Sequence, residues 1–157
     1  MGGCSWNYFV LYEVDVSAAL QKLRSHIFRT GQYTRSVLSA EDIAEEPELA
    51  QEDPNREPET IDKLLEQEAE DGTNSILDIT HLSDQPEFAA ATPVSRESLR
   101  EIFGTDQPTH EMVESKRGYP ELLHHSLVVE KWQGAYFTVY RDDKPDEIFF
   151  FGCSGDH

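Results

Sequence analysis

The last aromatic stretch of the chain, Gly134 to Gly152, constrains the fold most strongly, because it predicts two strands folded back on each other. Side chains along a strand alternate between its two faces, which separates Tyr136, Thr138 and Tyr140 from Phe137 and Val139. Ile148 to Phe151 form an unbroken apolar run, which is typical of a strand covered on both faces. The polar residues from Arg141 to Glu147 predict the turn. We therefore expect the rest of the chain to pack around this hairpin.

The N-terminal part of the chain predicts a strand followed by a helix. Trp6 to Val14 is apolar on both alternating faces, which favours a central position in a sheet. Asp15 or Ser17 is a suitable N-cap for the helix that follows, because its side chain can accept hydrogen bonds from free amides of the first turn. Gly31 stands where a left-handed C-cap is needed. The first strand is the best candidate partner of the C-terminal hairpin.

The middle of the chain has little periodicity. Prolines and acids dominate from Thr34 to Glu59, which predicts a loop or poorly ordered excursion with a helical turn near Ala40 to Ala44. Thr60 begins a short acidic helix that we expect to stop by Gly72. Ser75 to Thr80 is compatible with a short strand or with an extended link.

Three further segments have helical features. Ser95 to Phe103 is a clear helix with Ser95 as its cap. The next segment predicts another helix, with Pro108 in its first turn and with Met112 and Val113 turned inward. Tyr119 to Trp132 is ambiguous. Its proline start and the glycine that follows it favour a helix, whereas Leu127 to Trp132 are also compatible with a strand that would pair with the hairpin.

These elements predict one α+β domain spanning residues 1–157, with the acidic excursion at about 34–60. The length of 157 residues suffices for one hydrophobic core without a metal or disulfide. The expected sheet is antiparallel with three or more strands, formed by the N-terminal strand and the C-terminal hairpin, and several short helices pack on it.

The net charge of −18 is concentrated in one segment. From Glu41 to Asp71 there are 14 acidic and 2 basic residues, against 17 and 11 in the rest of the chain. Such a surface repels nucleic acid and anionic lipid and attracts a basic protein. The chain lacks an apolar run of membrane-spanning length, and its first residues lack the pattern of a signal peptide. We therefore expect a cytoplasmic protein that binds neither nucleic acid nor membrane.

Cys4 and Cys153 are the only cysteines, and they flank the first and last predicted strands. Two cysteines in a cytosolic chain are usually reduced and buried, which is the expectation here, and a disulfide is the alternative if those two strands are neighbours. Their spacing assembles no zinc knuckle.

The concentrated charge favours a non-catalytic interaction module that binds a basic partner, as inhibitors and immunity proteins do. The expected contact surface is acidic and comprises Glu45, Glu46, Glu48, Glu52, Asp53, Glu57, Glu59, Glu66 and Glu70. No complete catalytic or metal-ligand set is recognisable, so the prediction includes no cofactor and no metal.

The alternative is a small enzyme or ligand-binding domain whose site lies between the sheet and the helices. The candidate residues are histidines with nearby acids, namely His81, Asp84, His110 and His124. The two hypotheses predict different arrangements of side chains in space. Histidines that converge on one place favour the ligand site, and an outward acidic ridge favours the interaction module.

Three segments carry a resemblance to known sequences. They are Gly72-Thr-Asn-Ser-Ile-Leu-Asp-Ile79, Gly104-Thr-Asp-Gln-Pro-Thr-His-Glu-Met-Val-Glu114 and Lys144-Pro-Asp-Glu-Ile-Phe-Phe-Phe-Gly-Cys-Ser154. In these the chain resembles a set of small bacterial proteins of unknown function, so the resemblance implies a bacterial, cytosolic setting and no activity. The chain has Asp143 where that set would have glycine in the hairpin turn.

Overall fold

The computed structural model describes residues 5–33, 59–68, 72–117 and 132–153. Within these ranges the chain forms strands, α-helices and one 3₁₀ helix. In chain order they are β1 (Ser5–Leu11), α1 (Val16–Thr30), α2 (Ile61–Gln67), a 3₁₀ helix (Ile76–Asp78), β2 (His81–Leu82), β3 (Ala90–Pro93), α3 (Arg96–Phe103), α4 (His110–Arg117), β4 (Gln133–Arg141) and β5 (Lys144–Cys153). The fold class is α+β, as the sequence predicts.

The five strands form one mixed sheet in the order β1-β5-β4-β3-β2. β5 pairs antiparallel with β1 and β4, so the N-terminal strand and the C-terminal hairpin do associate as predicted. β3 pairs parallel with β4, and β2 pairs parallel with β3. The prediction of a purely antiparallel sheet is therefore wrong. Between β3 and β4 the chain passes through α3 and α4, and a helical crossover of this kind allows the second strand to run in the same direction as the first.

The hairpin has the two-faced packing that its sequence predicts. Ile148, Phe149, Phe150 and Phe151 in β5 are fully buried. Phe137 and Val139 of β4 lie in one apolar cluster with Phe149 and Phe151, whereas Tyr136 packs against the cluster that contains Ile148 and Phe150. β5 is therefore a central strand covered on both faces.

The hairpin turn is tighter than the predicted span from Arg141 to Glu147. Its two central residues are Asp142 and Asp143, whose φ angles are 52° and 65°. Two left-handed residues in a two-residue loop characterise a type I′ turn, whose twist matches that of the flanking strands. The register passes from Val139↔Glu147 to Tyr140↔Pro145, so Asp146 is an extra residue in a β-bulge.

β1 is shorter and less central than the sequence predicts. It ends at Leu11 rather than at Val14, and it is an edge strand of the described sheet. Leu11 is 82% exposed and Val14 is 88% exposed. Both faces of β1 are apolar because both contact a helical layer: Tyr8 packs against one cluster and Phe9 against the other. Apolar residues on both faces of a strand therefore indicate that other elements pack on both faces of the sheet. They do not show whether the strand is central or at an edge.

Helices cover both faces of the sheet. On the first face, α1, α2 and the 3₁₀ helix contribute Leu20, Leu64 and Leu77 to a cluster that includes Trp6 and Phe150. On the second face, α3 and α4 contribute the buried Leu99 and Val113 to the other cluster, and the partly buried Phe103 packs against it. The sheet therefore separates two apolar layers.

The predicted helix caps are confirmed. Asp15 Oδ1 accepts a hydrogen bond from the Ala18 amide at 3.2 Å. Thr60 caps α2 and Ser95 caps α3 in the same way. Gly31 ends α1 in the left-handed conformation with φ of 69°. α2 ends at Gln67, before the predicted stop.

Some local predictions are wrong. The segment Ser75 to Thr80 is neither a strand nor an extended link, because it contains the 3₁₀ helix. Pro108 precedes α4 instead of lying in its first turn. Val113 is fully buried as predicted, but Met112 is 42% exposed, because the short α4 turns only a narrow side inward. The predictions for the excursion at 34–58 and for residues 119–131 lie outside the described residues.

Cys153 is disulfide-bonded, so the prediction of reduced thiols is wrong for this residue. Cys4 is the only other cysteine in the sequence. The spacing of the two cysteines along the chain does not reveal the strand register, in which Ser5 lies opposite Cys153.

Candidate functional sites

A buried polar network holds the loop from Gly72 to Asp78. The Asp78 side chain, in a residue only 3% exposed, accepts hydrogen bonds from the Thr73 amide at 2.9 and 3.0 Å and from the Thr73 hydroxyl at 3.0 Å. Thr73 Oγ1 also lies 2.6 Å from Ser75 Oγ, which accepts from the Leu77 amide at 3.2 Å. Buried polar groups need such partners. The side chains of Thr73, Ser75 and Asp78 therefore organise this loop from within.

Two residues of other elements complete this network. The Tyr8 hydroxyl of β1 accepts a hydrogen bond from the Ile76 amide at 3.4 Å. Arg24 of α1, a buried residue, donates from Nη2 to the Leu77 carbonyl at 3.2 Å and from Nη1 to Gln21 Oε1 at 3.0 Å. Burial lowers the pKa of Arg24 and raises the pKa of Tyr8. The network therefore joins β1 and α1 to the 3₁₀ helix.

The stability of the protein is expected to fall above pH 10 because of Tyr8. Burial raises the pKa of this phenol above its ordinary value of 10.0, the hydrogen bond with Ile76 acts in the opposite direction, and the charge of Asp78 raises the pKa further. Above pH 10 the folded state then holds a proton that the unfolded state has lost, so stability decreases with pH until the folded pKa is reached. Urea unfolding at pH 9 to 11 measures this slope.

The matched variant for this measurement is Tyr8→Phe, which removes the titrating group and keeps the ring. It is expected to unfold with a shallower pH dependence than the wild type above pH 10. An equal slope in both proteins would assign the alkaline loss to another group.

His110, the first residue of α4, lies over the sheet between two carboxylates. Its ring stacks on Phe9 of β1, with ring centroids 4.1 Å apart and an interplanar angle of 30°. Its Nδ1 lies 2.7 Å from Glu147 Oε1 on β5, and its Nε2 lies 3.5 Å from Glu114 Oε2 one turn later in α4. The amide of Tyr140 donates to the Pro108 carbonyl at 2.8 Å, which fixes the start of α4 against β4.

Both ring nitrogens of His110 face carboxylates. A carboxylate is only an acceptor, so a ring nitrogen that carries a proton can donate it to Glu147 from Nδ1 or to Glu114 from Nε2. The His110 side chain is 44% exposed and that of Glu147 is 20% exposed. The two carboxylates and the stacking on Phe9 therefore hold the imidazole in a fixed orientation at a partly exposed position.

His81 has a different environment at the other side of the sheet. Its Nδ1 lies 2.9 Å from Thr80 Oγ1, and its Nε2 lies 2.9 Å from Glu87 Oε1. The hydrogen bond from His81 is the main cause of the lowered pKa of Glu87. Both ring nitrogens are thus engaged.

The structure does not bring His81 and His110 together. His81 lies on β2, which is at the opposite end of the sheet from β1, the strand under His110. Asp84 is exposed in the loop after β2. His124 lies outside the described residues. The sequence did not identify Glu147 as the partner of His110, because the two are 37 positions apart and only the packing of α4 on the sheet brings them together.

α2 lies near the end of the acidic segment and has a buried apolar side and an exposed acidic side. Leu64 is fully buried, and Ile61 and Leu65 pack beside it. Glu59, Asp62 and Glu66 are exposed, and Glu59 pairs with Lys63 at 3.2 Å. Glu68, which was not among the predicted contact residues, is buried. The remaining predicted contact residues lie outside the described residues, namely Glu45, Glu46, Glu48, Glu52, Asp53, Glu57 and Glu70.

Two structural features are absent from the described ranges. These ranges contain no group of three or more His, Cys, Asp or Glu side chains placed to hold a metal ion. In the same ranges, no helix has both the length and the apolar character needed to span a bilayer.

Comparisons of the chain with protein-family models, with curated proteins and with solved structures find no match.

Proposed function

We propose that the protein is a non-catalytic interaction module that binds a basic protein through its acidic segment. The observation that carries the proposal is the concentration of charge, with 14 acidic and 2 basic residues from Glu41 to Asp71. Complementary charge accelerates encounter with a positive partner and disfavours partners of the same sign. An inhibitor or immunity-like role fits this electrostatic character, and the bacterial setting implied by the resemblance is part of the same proposal.

The packing of α2 supports a structured contact surface. Leu64 anchors the helix to the core, so Asp62 and Glu66 project from a fixed backbone. Acids on a fixed backbone lose less conformational freedom on binding than acids in a mobile loop. The exposed acids of α2, with the neighbouring Glu59, are therefore suited to set the orientation of a partner.

Neutralising these acids is expected to abolish capture of the basic partner. The test variant combines Glu59→Gln, Asp62→Asn and Glu66→Gln, and a second variant lacks residues 45–59. Each tagged protein is used for affinity capture from its native cell, and the recovered proteins are identified by mass spectrometry. The wild type should recover a basic protein that both variants fail to recover, and its association rate should fall steeply with salt.

A control variant removes the same charge elsewhere. Glu97→Gln, Glu101→Gln and Glu111→Gln neutralise three exposed acids on α3 and α4. This variant should recover the partner as the wild type does. Equal losses in the α2 variant and this control would mean that net charge alone governs capture, and recovery by all variants would refute the proposed surface.

A further inference from the structure

We infer that the aromatic pair Phe88 and Trp132 is a second contact point for the basic partner and that it binds an arginine side chain. Phe88 lies between β2 and β3 and is 68% exposed. Its ring packs on that of Trp132, which directly precedes β4, with ring centroids 5.4 Å apart and an interplanar angle of 38°. The inference rests on the proposed function for the positive charge of the partner, and it adds the place where one cation is bound.

The backbone holds the aromatic pair in an uncommon conformation. Ala89, which follows Phe88, and Trp132 have φ angles of 61° and 65°, in the left-handed region that residues other than glycine seldom adopt. The Ala89 amide donates to the Trp132 carbonyl at 2.8 Å, and the Trp132 amide donates to the Cys153 carbonyl at 2.8 Å. Such conformations cost free energy and concentrate at functional sites. The exposed ring of Phe88 is therefore presented from a fixed backbone, which reduces the entropy lost on binding.

The aromatic pair lies next to the end of α2. A β-carbon at Gly72 would lie 3.1 Å from Cη2 of Trp132, so the indole packs directly against this glycine. The Gly72 amide donates to the Glu68 carbonyl at 2.8 Å, and Glu68 is the C-cap residue of α2. The aromatic pair therefore continues the surface proposed for the acids of α2, and one partner can contact both.

The charge around the aromatic pair favours a cation over other occupants. The loop from Ser83 to Ala89 carries two exposed acids, Asp84 and Glu87, and no lysine or arginine. The net charge of −18 opposes contact with a second copy of this chain or with an anionic lipid surface. A positively charged side chain is attracted by the acids and can also contact the ring.

The open ring surface of Phe88 suits a guanidinium group. The face of an aromatic ring is negative, so a cation within about 6 Å of the ring centroid is attracted to it. Arginine fits better than lysine, because its planar guanidinium stacks on aromatic rings and is more weakly hydrated. The contact with Trp132 holds Phe88 on one side while most of its surface remains open to solvent.

A nuclear magnetic resonance titration with a hexa-arginine peptide at low ionic strength tests the inference. The peptide should shift the indole N–H signal of Trp132 and leave that of the buried Trp6 unchanged. Phe88→Leu keeps an apolar side chain and removes the aromatic face, so affinity measured by the Trp132 shift should fall about two- to fivefold. Phe88→Ala also removes apolar contact area and should weaken binding further.

Leu11→Ala is the matched control, because it removes an 82% exposed apolar side chain on β1, at the far end of the sheet from β2 and β3. It should bind the peptide as the wild type does. A hexacitrulline peptide, which lacks the positive charge, should cause no shift. Wild-type affinity in Phe88→Leu, an equal response to hexacitrulline, or no shift of the Trp132 signal would overturn the inference.

The outcomes separate this inference from the proposed function. A Trp132 shift that Phe88→Leu weakens, with no basic protein recovered from the native cell, would support the arginine contact and refute the proposed function. Recovery of a basic protein that the α2 variant loses, with no Trp132 shift, would support the proposed function and refute the arginine contact.

Discussion

Gly152→Ala is expected to lower the free energy of unfolding by about 3 kcal/mol, at the upper end of the usual range for overpacked sites. A β-carbon at Gly152 would lie 2.5 Å from Trp6 Cζ2 and 2.6 Å from the Gln133 carbonyl oxygen. One of these atoms belongs to a large buried ring and the other to the backbone of β4, so neither moves without disturbing the sheet. Gly152 therefore provides the space that Trp6 fills.

Urea denaturation followed by circular dichroism measures this loss. Gly104→Ala is the matched control, because no heavy atom lies within 4 Å of its β-carbon position and only its φ of 77° opposes the substitution. That control is expected to lose about 1 kcal/mol from backbone strain. Similar losses in the two variants would mean that the contact with Trp6 relaxes easily, contrary to the close packing of β1, β4 and β5.

Asp78→Ala is expected to destabilise the protein by a comparable amount, about 3 kcal/mol. The substitution leaves the Thr73 amide and hydroxyl without their carboxylate partner in a buried loop. Each buried polar group that loses its partner costs about 1–3 kcal/mol. The loop that contains the 3₁₀ helix should consequently loosen from Tyr8 and Arg24.

Thermal and urea unfolding of three variants isolate this effect. Asp84→Ala, which removes an exposed aspartate, should change stability by less than about 0.5 kcal/mol. Asp78→Asn keeps the shape of the side chain and one acceptor oxygen, so it should fall between the other two. If Asp78→Ala behaved as Asp84→Ala does, the Thr73–Asp78 contacts would contribute nothing to stability.

Much of the fold was predictable from local sequence patterns. Asp15, Ser95 and Gly31 predicted helix ends correctly, because caps depend on a few adjacent backbone groups. The hairpin was predictable because strand alternation and a polar turn are also local. β3 was missed, since its Ala-Ala-Thr-Pro sequence has little strand propensity and owes its position to pairing with β4.

The candidate sites were less predictable than the fold. His110 was identified as a candidate, but its partner Glu147 was not, because their contact depends on how α4 packs on β5. The role of Asp78 was also missed, since its neighbours in sequence do not show whether a carboxylate faces water or a buried amide. Glu68 likewise belongs to the acidic segment and is buried.

By itself the sequence determined the α+β class, the helix ends at Asp15, Gly31, Thr60 and Ser95, the aromatic hairpin and the location of the acidic charge, because each depends on residue type over a few positions. The tertiary structure decided the parallel position of β3, the edge position of β1, the disulfide bonding of Cys153 and the two neighbours of His110. These features join residues far apart in the chain. Their free energy comes from burial and pairing between elements, which no local pattern records.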